Sequence, residues 1–352
     1  MTRTISLANQ KGGVGKTTST ISLGAALAEL GQRVLLVDFD PQGAATVGVG
    51  LNPNELDLSI YDLLLDPSVD ASSVVLKSPK AGVDVLPANI DLAAAEVVLV
   101  GEVAREQALE RALRGAKDEY DYILIDCPPS LGLLTVNALT ASDSVIIPME
   151  CEFFALRGMA LLMDTIRKIQ ERLNPRLEVQ GIVATMYDSR TLHSREVLER
   201  VREAFGGLLF STTIARTIRF AEAPVAGEAI LTYAPTSSGA AAYRNLAKEV
   251  LGVDDEESKL AESGRAVPSD DVLTTGAGAG DGGGTGISTA SASAGPSATD
   301  ASGRTGDSVS AVPDAPGASV GAGDGPESAP ATDGGRNGDG ATSLPITTTT
   351  ES

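Results

Sequence analysis

The sequence has few of the residues on which several classes of protein depend. It contains two cysteines and one histidine, Cys127, Cys151 and His193, which are too few for a disulfide framework or a structural zinc site. Its apolar runs are short, such as Val34–Val37, and none approaches the roughly 18 residues of a membrane-spanning helix. The first ten residues, MTRTISLANQ, lack the layout of a signal peptide. We therefore expect a protein of the reducing cytoplasm.

Aromatic residues are also scarce, and they are unevenly distributed. The chain has six Phe, six Tyr and no Trp, and none of these lies in residues 254–352, which hold 19 of the 38 glycines. The same segment carries 16 acidic and 4 basic side chains, whereas the whole chain has a net charge of −20. Such a segment buries too little apolar surface to offset the entropy lost on ordering. We predict a globular domain over residues 1–253 and a disordered Gly/Ala/Ser/Asp-rich acidic tail over residues 254–352.

Strand-like and helix-like patterns alternate along residues 1–253. The expected strands are Thr4–Ala8, Val34–Val37, Val83–Leu86, Tyr122–Ile125, Ser144–Ile147, Val179–Met186 and Leu208–Ile214. The expected helices are Thr17–Leu30, Leu92–Ala116, Leu131–Ala141, Leu156–Leu173, His193–Phe205 and Gly239–Leu251. This order predicts an α/β fold, a doubly wound and mostly parallel sheet with helices on both faces. Ligands bind at the carboxyl ends of strands in such folds, so the residues just after each strand are the candidate site.

A glycine-rich loop, QKGGVGKTT, follows the first expected strand. A loop of this kind points backbone N–H groups at phosphate oxygens, and the following helix N-terminus adds a favourable dipole. Lys16 would reach the β- and γ-phosphates, and the Thr17 hydroxyl would ligate Mg²⁺. The strict G-x-x-x-x-G-K-[ST] pattern fails at its first position, where Gln10 replaces glycine. The nucleotide-binding residues that this loop predicts are Gly12, Gly13, Val14, Gly15, Lys16, Thr17 and Thr18.

Carboxylates follow two of the later strands. Asp38 and Asp40 come directly after the second expected strand, and the alternation of side chains places both on one face. Asp126 follows the fourth expected strand in the same way. An isolated aspartate at a strand end is more often a helix cap or a turn former. A pair beside a phosphate loop is better explained by the chemistry of Mg²⁺ and water.

These segments resemble the ParA/MinD superfamily of P-loop ATPases, whose phosphate loop is a deviant Walker A box. The resemblance rests on KGGVGKTT, on DFDPQG at 38–43 and on DCPPS at 126–130. It covers nearly all of residues 1–251, and PPSLGLLT, NALTASD, YDSRT and EAP further along resemble the chromosomal ParA (Soj) branch. The resemblance implies a Mg²⁺-dependent ATP hydrolase. In it Asp40 positions the attacking water, Asp126 holds the metal and Asp38 supports the magnesium region.

The lysine near the start of the loop, Lys11, has a special role in that superfamily. The resemblance implies that it reaches across an ATP-dependent homodimer to the ATP of the partner subunit. A second cation there would stabilise transition-state charge, as an arginine finger does. From the residues alone, a solvated surface lysine is the simpler interpretation.

The same branch binds double-stranded DNA without sequence preference when ATP holds the dimer together. The positions that match its DNA-contacting residues are Arg190 and Arg219, while Arg216 is a candidate for either DNA or the nucleotide, and Met186 for the nucleotide. Ala215 stands where relatives have a proline that shapes the adenine pocket. The resemblance therefore implies a switch ATPase for chromosome or plasmid segregation that acts at the nucleoid with a ParB-type centromere-binding partner.

Two other functions are weighed against this one. A MinD-like membrane-cycling ATPase for division-site placement would carry a basic amphipathic helix at its C-terminus. The sequence printed there, TSLPITTTTES, is neither basic nor helical, so we expect no membrane partner. A reductase with an iron–sulfur cluster at the dimer interface would need two suitably placed cysteines per subunit, and Cys127 lies in the Asp126 segment instead.

Overall fold

A mostly parallel sheet forms the centre of the protein. The computed structural model describes residues 1–152 and 155–253. The strands are β1 (Arg3–Leu7), β2 (Val34–Asp38), β3 (Leu76–Lys77), β4 (Asp84–Leu86), β5 (Tyr122–Asp126), β6 (Ser144–Glu150), β7 (Glu178–Tyr187) and β8 (Leu209–Ala215). They lie in the order β3-β4-β2-β5-β1-β6-β7-β8, and only the β3–β4 pair is antiparallel among these described strands.

The direction in which the sheet is built reverses at β1. β2 to β5 lie on one side of this strand, and β6 to β8 lie on the other. Such a reversal leaves a crevice at the carboxyl ends of the strands, where open α/β sheets bind their ligands. The register brings the ends of three strands level, because Asp126 pairs with Leu7 of β1 and with Asp38 of β2.

Helices cover both faces of the sheet. They are α1 (Lys16–Glu29), α2 (Ala44–Gly48), α3 (Ile60–Leu65), α4 (Ala71–Val74), α5 (Leu92–Leu99), α6 (Ala108–Ala112), α7 (Leu133–Ala141), α8 (Ala155–Arg172), α9 (Leu192–Phe205), α10 (Arg219–Val225), α11 (Ile230–Tyr233) and α12 (Ser238–Leu251). Successive residues of β2 alternate between two buried clusters, with Leu35 and Val37 in one and Val34 and Leu36 in the other. The prediction of a doubly wound α/β fold is confirmed.

One predicted helix is wrong. The apolar spacing of Leu92–Ala116 predicts one continuous helix, but the structure has α5 and α6 with an irregular segment between them. Ala104 in that segment has a φ of 53°, which no helix allows. The side chain of Asn137 on α7 supplies the hydrogen bonds that a helix would have made, since it donates to Arg105 O (2.9 Å) and accepts from Leu109 N (3.2 Å).

The sequence patterns also missed several short elements, namely β3 and the helices α2, α3, α4, α10 and α11. These run from two to seven residues, too short for a periodic pattern to develop. In the parts of the chain that the structure describes, no helix has the length and apolarity to span a bilayer. The predicted acidic tail, residues 254–352, lies outside the described residues and remains a prediction.

Candidate nucleotide site

The glycine-rich loop joins β1 to α1 at the level where the sheet reverses. Gly13 and Gly15 have φ values of 76° and 85°, a left-handed region that favours glycine. A Cβ added to Gly13 would meet no atom within 4 Å, so the loop faces open space on this side. Val14 points the other way and is buried, and its carbonyl accepts a hydrogen bond of 2.8 Å from Thr185 Oγ1 on β7. The loop is therefore held to β7 at Val14 and faces open space at Gly13.

Lys16 begins α1 beneath this open side. It is only 7% exposed, and its Nζ donates to Lys11 O at 3.3 Å, so the ammonium group lies within the curve of the loop. Burial lowers its pKa, while the charge of Asp126 acts to raise it. A cation enclosed by backbone N–H groups is suited to phosphate oxygens.

The next residue on α1 faces the end of β5. Thr17 Oγ1 donates to Asp126 Oδ2 at 2.6 Å, and Thr20 Oγ1, one turn further along, is 3.3 Å from Asp126 Oδ1. The Asp126 side chain is fully buried. A hydroxyl and a carboxylate at the rim of a phosphate loop are the oxygen ligands that Mg²⁺ prefers.

The end of β2 and the loop after it bring the other two aspartates to the site, in different environments. Asp38 is completely buried, and its Oδ2 accepts two hydrogen bonds of 2.7 Å from Thr46 N and Oγ1. Its Oδ1 accepts from Asp40 N at 3.3 Å. Asp40 is 9% exposed and lines the open pocket. Because protein groups already occupy both oxygens of Asp38, we expect its part in the magnesium region to be indirect.

The buried charges at this site do not balance. Burial, followed by the charge of Asp38, raises the pKa of Asp126 to about 8, and burial raises the pKa of Asp38 to about 6. Lys16 is the nearby buried cation, so the carboxylates are in excess among the described side chains. A divalent cation bound by Thr17 and Asp126 would remove this repulsion, and the residues present therefore fit ATP with Mg²⁺.

These side chains surround a pocket of about 240 Å³. Its lining consists of Gly12, Gly13, Gly15, Lys16, Thr17, Thr18, Asp40, Pro129 and Met186. Met186 has a φ of 51°, unusual for a residue with a side chain, and it also lines a larger neighbouring cleft of about 640 Å³. Arg190 and Arg216 line that cleft rather than the pocket, and Ala215 lies beside them. The smaller space, beside the loop, suits phosphates, and the larger cleft suits the group attached to them.

The side chain of Lys11 is 43% exposed, and its two partners, Glu150 and Glu152, line the larger cleft. Its Nζ contacts Glu150 Oε2 at 2.8 Å and Glu152 Oε2 at 2.5 Å, both at the end of β6. Burial acts to lower the pKa of Lys11, but the hydrogen bonds and charges of the two glutamates raise it overall. The lysine is thus paired within its own chain rather than simply solvated.

The candidate DNA-contacting arginines are both exposed. Arg190 makes a two-pronged ion pair with Asp188, with distances of 2.9 and 2.8 Å. That contact raises the pKa of Arg190 and lowers the pKa of Asp188 to about 2. Arg219 is the first residue of α10 and lines neither the pocket nor the cleft. Arg190 must share its charge with Asp188, so Arg219 is the stronger candidate for contact with a phosphate.

Sequence reasoning missed several residues that shape the site. Glu150, Glu152 and Thr185 contact the motif residues but lie far from them in the sequence, while Thr46 lies eight residues after Asp38 and outside the motif. Thr20 was the one that spacing could have found, because it lies three residues after Thr17 on the same helix. The two cysteines are both buried, and burial, followed by the charge of Asp126, raises the pKa of Cys127 to about 12.

Comparison with known proteins supports the same interpretation. A family model described as an AAA domain matches residues 2–179. The sporulation initiation inhibitor Soj of Bacillus subtilis is 49% identical over 71% of this chain and 98% of its own. The chromosome partitioning protein ParA of Caulobacter vibrioides is 46% identical over 74% and 98%. An uncharacterized protein of Mycobacterium tuberculosis is 59% identical over 71% and 78%.

A solved structure has the same fold with nucleotide present. Cobyrinic acid a,c-diamide synthase from Mycobacterium smegmatis, with bound ADP and magnesium, is 42% identical, with a TM-score of 0.63 over 77% of this chain and 100% of that one. The chain has the phosphate loop, the three aspartates and these similarities in sequence. It therefore belongs to the ParA/Soj-type partitioning ATPases of the ParA/MinD superfamily.

Proposed function

We propose that this chain is an ATP-dependent dimerising switch that binds DNA non-specifically and drives chromosome or plasmid segregation with a ParB-type partner. The observation that carries the ATPase part is the convergence of Lys16, Thr17 and Asp40 on one pocket, with Asp126 hydrogen-bonded to Thr17. These four residues come from three different motifs, and each has a distinct task in phosphoryl transfer.

The roles follow from where each group lies. Lys16 and the backbone N–H groups of the loop would hold the β- and γ-phosphates, while Thr17 and Asp126 would hold Mg²⁺. Bound Mg²⁺ supplies positive charge that neutralises the charge developing on the transferred phosphoryl group. Asp40, at the pocket surface, orients the attacking water by accepting a hydrogen bond from it. Met186 and Arg216, beside the pocket, are proposed to contact the rest of the nucleotide.

Dimerisation would change the partners of Lys11. In the single chain its ammonium group is shared by Glu150 and Glu152. In the proposed dimer it reaches the phosphates of the nucleotide in the partner subunit, where a triphosphate competes with the two carboxylates for the same cation. The dimer then depends on ATP, because ADP lacks the γ-phosphate and offers the lysine less negative charge.

DNA binding is proposed to involve few phosphate contacts. Residues 1–253 hold 31 acidic and 23 basic side chains, so the domain has no general attraction for a polyanion. Arg190 and Arg219 of both subunits would give about four cations per dimer, which supports weak, salt-sensitive and non-specific binding. ATP-controlled pairing of the two sets of arginines would make that binding switchable. A ParB-type partner would stimulate hydrolysis and release the monomers from the nucleoid.

The test is a gel shift on random-sequence duplex DNA with ATP, with ADP or without nucleotide. We expect a shift with ATP alone, and a steep loss of binding as salt rises from 50 to 200 mM. Lys16→Ala should abolish both the shift and ATP hydrolysis, whereas Lys77→Ala on the edge strand β3 is the control. Flotation with anionic vesicles distinguishes the MinD-like alternative. ATP-dependent flotation without a DNA shift would overturn the proposal.

A further inference from the structure

The threonine that holds Asp38 has no role in the function described so far. Thr46 lies in α2, eight residues beyond Asp38, and is completely buried. Its backbone N and its Oγ1 both donate to Asp38 Oδ2 at 2.7 Å. The same Oγ1 accepts a hydrogen bond of 3.0 Å from Ala88 N, just after β4. The hydroxyl of this α2 residue therefore forms hydrogen bonds with the end of β2 and with the segment just after β4.

The arrangement continues from Asp38 to the active pocket. Asp38 Oδ1 accepts a hydrogen bond from Asp40 N at 3.3 Å. Asp40 in turn accepts from Gln42 N at 3.0 Å through its Oδ1, and from Gly43 N at 2.9 Å through its carbonyl. The path from Thr46 to Asp40 thus consists of hydrogen bonds alone, and it passes through one buried carboxylate.

Asp38 needs such restraint because it is buried. It pairs in register with Asp126 on β5, and both side chains are fully buried. A buried carboxylate without fixed donors is unfavourable, so loss of the Thr46 donors would let the Asp38 side chain rotate toward other partners. Rotation would break the contact to Asp40 N and release the loop that carries the Asp40 carboxylate. A displacement of about 1 Å is enough to slow a reaction that depends on positioning.

We infer that Thr46 is a positioning residue for ATP hydrolysis, which fixes Asp38 and, through it, the loop that presents Asp40 to the pocket. This rests on the proposed hydrolysis of ATP by this chain. Thr46 does not line the pocket, and its hydroxyl bonds to Asp38 and to Ala88 N, so this hydroxyl should affect turnover without changing nucleotide affinity.

The test compares Thr46→Val with Thr46→Ser. The valine variant keeps the shape and loses the hydroxyl, and we expect kcat to fall about 10- to 100-fold while the Kd of a fluorescent ADP analogue changes less than about threefold. The serine variant keeps the hydroxyl and should restore kcat to within about threefold. Thr140→Val, which removes a buried hydroxyl of α7 that donates to Val136 O, is the control for general loss of a hydrogen bond.

A double-mutant cycle with Asp38→Asn tests whether the effect passes through Asp38. If it does, the double variant hydrolyses ATP no more slowly than Asp38→Asn alone. If the two residues act independently, the rate losses of the single variants multiply in the double variant. If Thr46→Val does not fold, Thr46→Ser and Thr46→Cys carry the test, because both lack the threonine methyl group and the thiol is the weaker hydrogen-bond donor and acceptor. The cysteine variant should then be slower.

The result separates this inference from the proposed function. A wild-type protein that hydrolyses no ATP removes the function itself. A wild-type protein that hydrolyses ATP while Thr46→Val has an unchanged kcat overturns only the role of Thr46. The same holds if the serine variant is as slow as the valine variant, or if serine and cysteine give equal rates.

Discussion

Asp40 is the residue on which the proposed hydrolysis depends most directly. Its carboxylate lines the pocket while its backbone is held by Asp38 and Gly43. We expect Asp40→Ala to keep ATP binding and ATP-dependent DNA binding, and to lower turnover at least about 100-fold, because only the orientation of water is lost. Phosphate release and the gel shift measure the two effects. Asp118→Ala, at the opposite edge of the sheet, is the control, and loss of nucleotide binding in Asp40→Ala would contradict the assigned role.

Lys11 is the second residue with a separable effect. We expect Lys11→Ala and Lys11→Gln to bind ATP as monomers and to lose cooperative DNA binding, since the cation that would join the subunits is gone. Light scattering with ATP, in the Asp40→Ala background to prevent hydrolysis, measures the mass. A dimer that persists without the Lys11 ammonium group would show that the lysine serves only its own chain.

At this scale the motifs predicted which side chains would meet, but not how they are held. The loop glycines, Lys16 and Asp40 come together at one pocket, because adjacent parallel strands end at the same edge. The glutamates that bind Lys11 and the threonine that binds Asp38 follow no motif used here. Their positions depend on which strand lies beside which.

At the scale of the element, α1 lies unusually close to the sheet. Gly24 faces the sheet, and a Cβ there would lie 2.6 Å from Leu36 Cδ2 and 3.6 Å from Leu124 Cδ1. Gly158 in α8 has nothing within 4 Å of the same position. Replacement of glycine by alanine should therefore have opposite effects on the free energy of unfolding at the two sites.

We expect Gly24→Ala to lower the free energy of unfolding by about 1–3 kcal/mol through overpacking. Gly158→Ala should raise it by about 0.5–1 kcal/mol, since alanine has the better helix propensity and meets no obstacle. Urea unfolding of both variants measures the difference. Equal effects would show that α1 can move away from β2 without cost.

The elements also show where the spacing of apolar residues fails to predict secondary structure. Apolar spacing identified the long helices and the strands buried on both faces, because their period lies within the segment itself. It joined α5 and α6 wrongly, since the break between them is stabilised by Asn137 from another helix. Contacts from 28 and 32 residues away leave no local pattern.

For the whole molecule, the distribution of charge along the chain matters more than the net charge. Residues 254–352 hold 16 of the 47 acidic side chains with only 4 basic ones. We expect deletion of residues 254–352 to strengthen DNA binding at low salt, because a tethered polyanion competes with DNA for the same arginines. Fluorescence anisotropy on random duplex DNA measures the affinity. A full-length variant with these acids changed to Asn or Gln is the control for chain length, and unchanged affinity in both variants would refute the idea.

The sequence by itself determined the class of fold, the phosphate loop and the three aspartates, because each is written in the order or spacing of neighbouring residues. Tertiary structure decided the rest. The register of β2 against β5 places Asp38 beside Asp126, the reversal at β1 puts the end of β6 next to Lys11, and the turn into α2 brings Thr46 back to Asp38. These contacts join segments separated along the chain, and their energies depend on burial and distance, which no local pattern records.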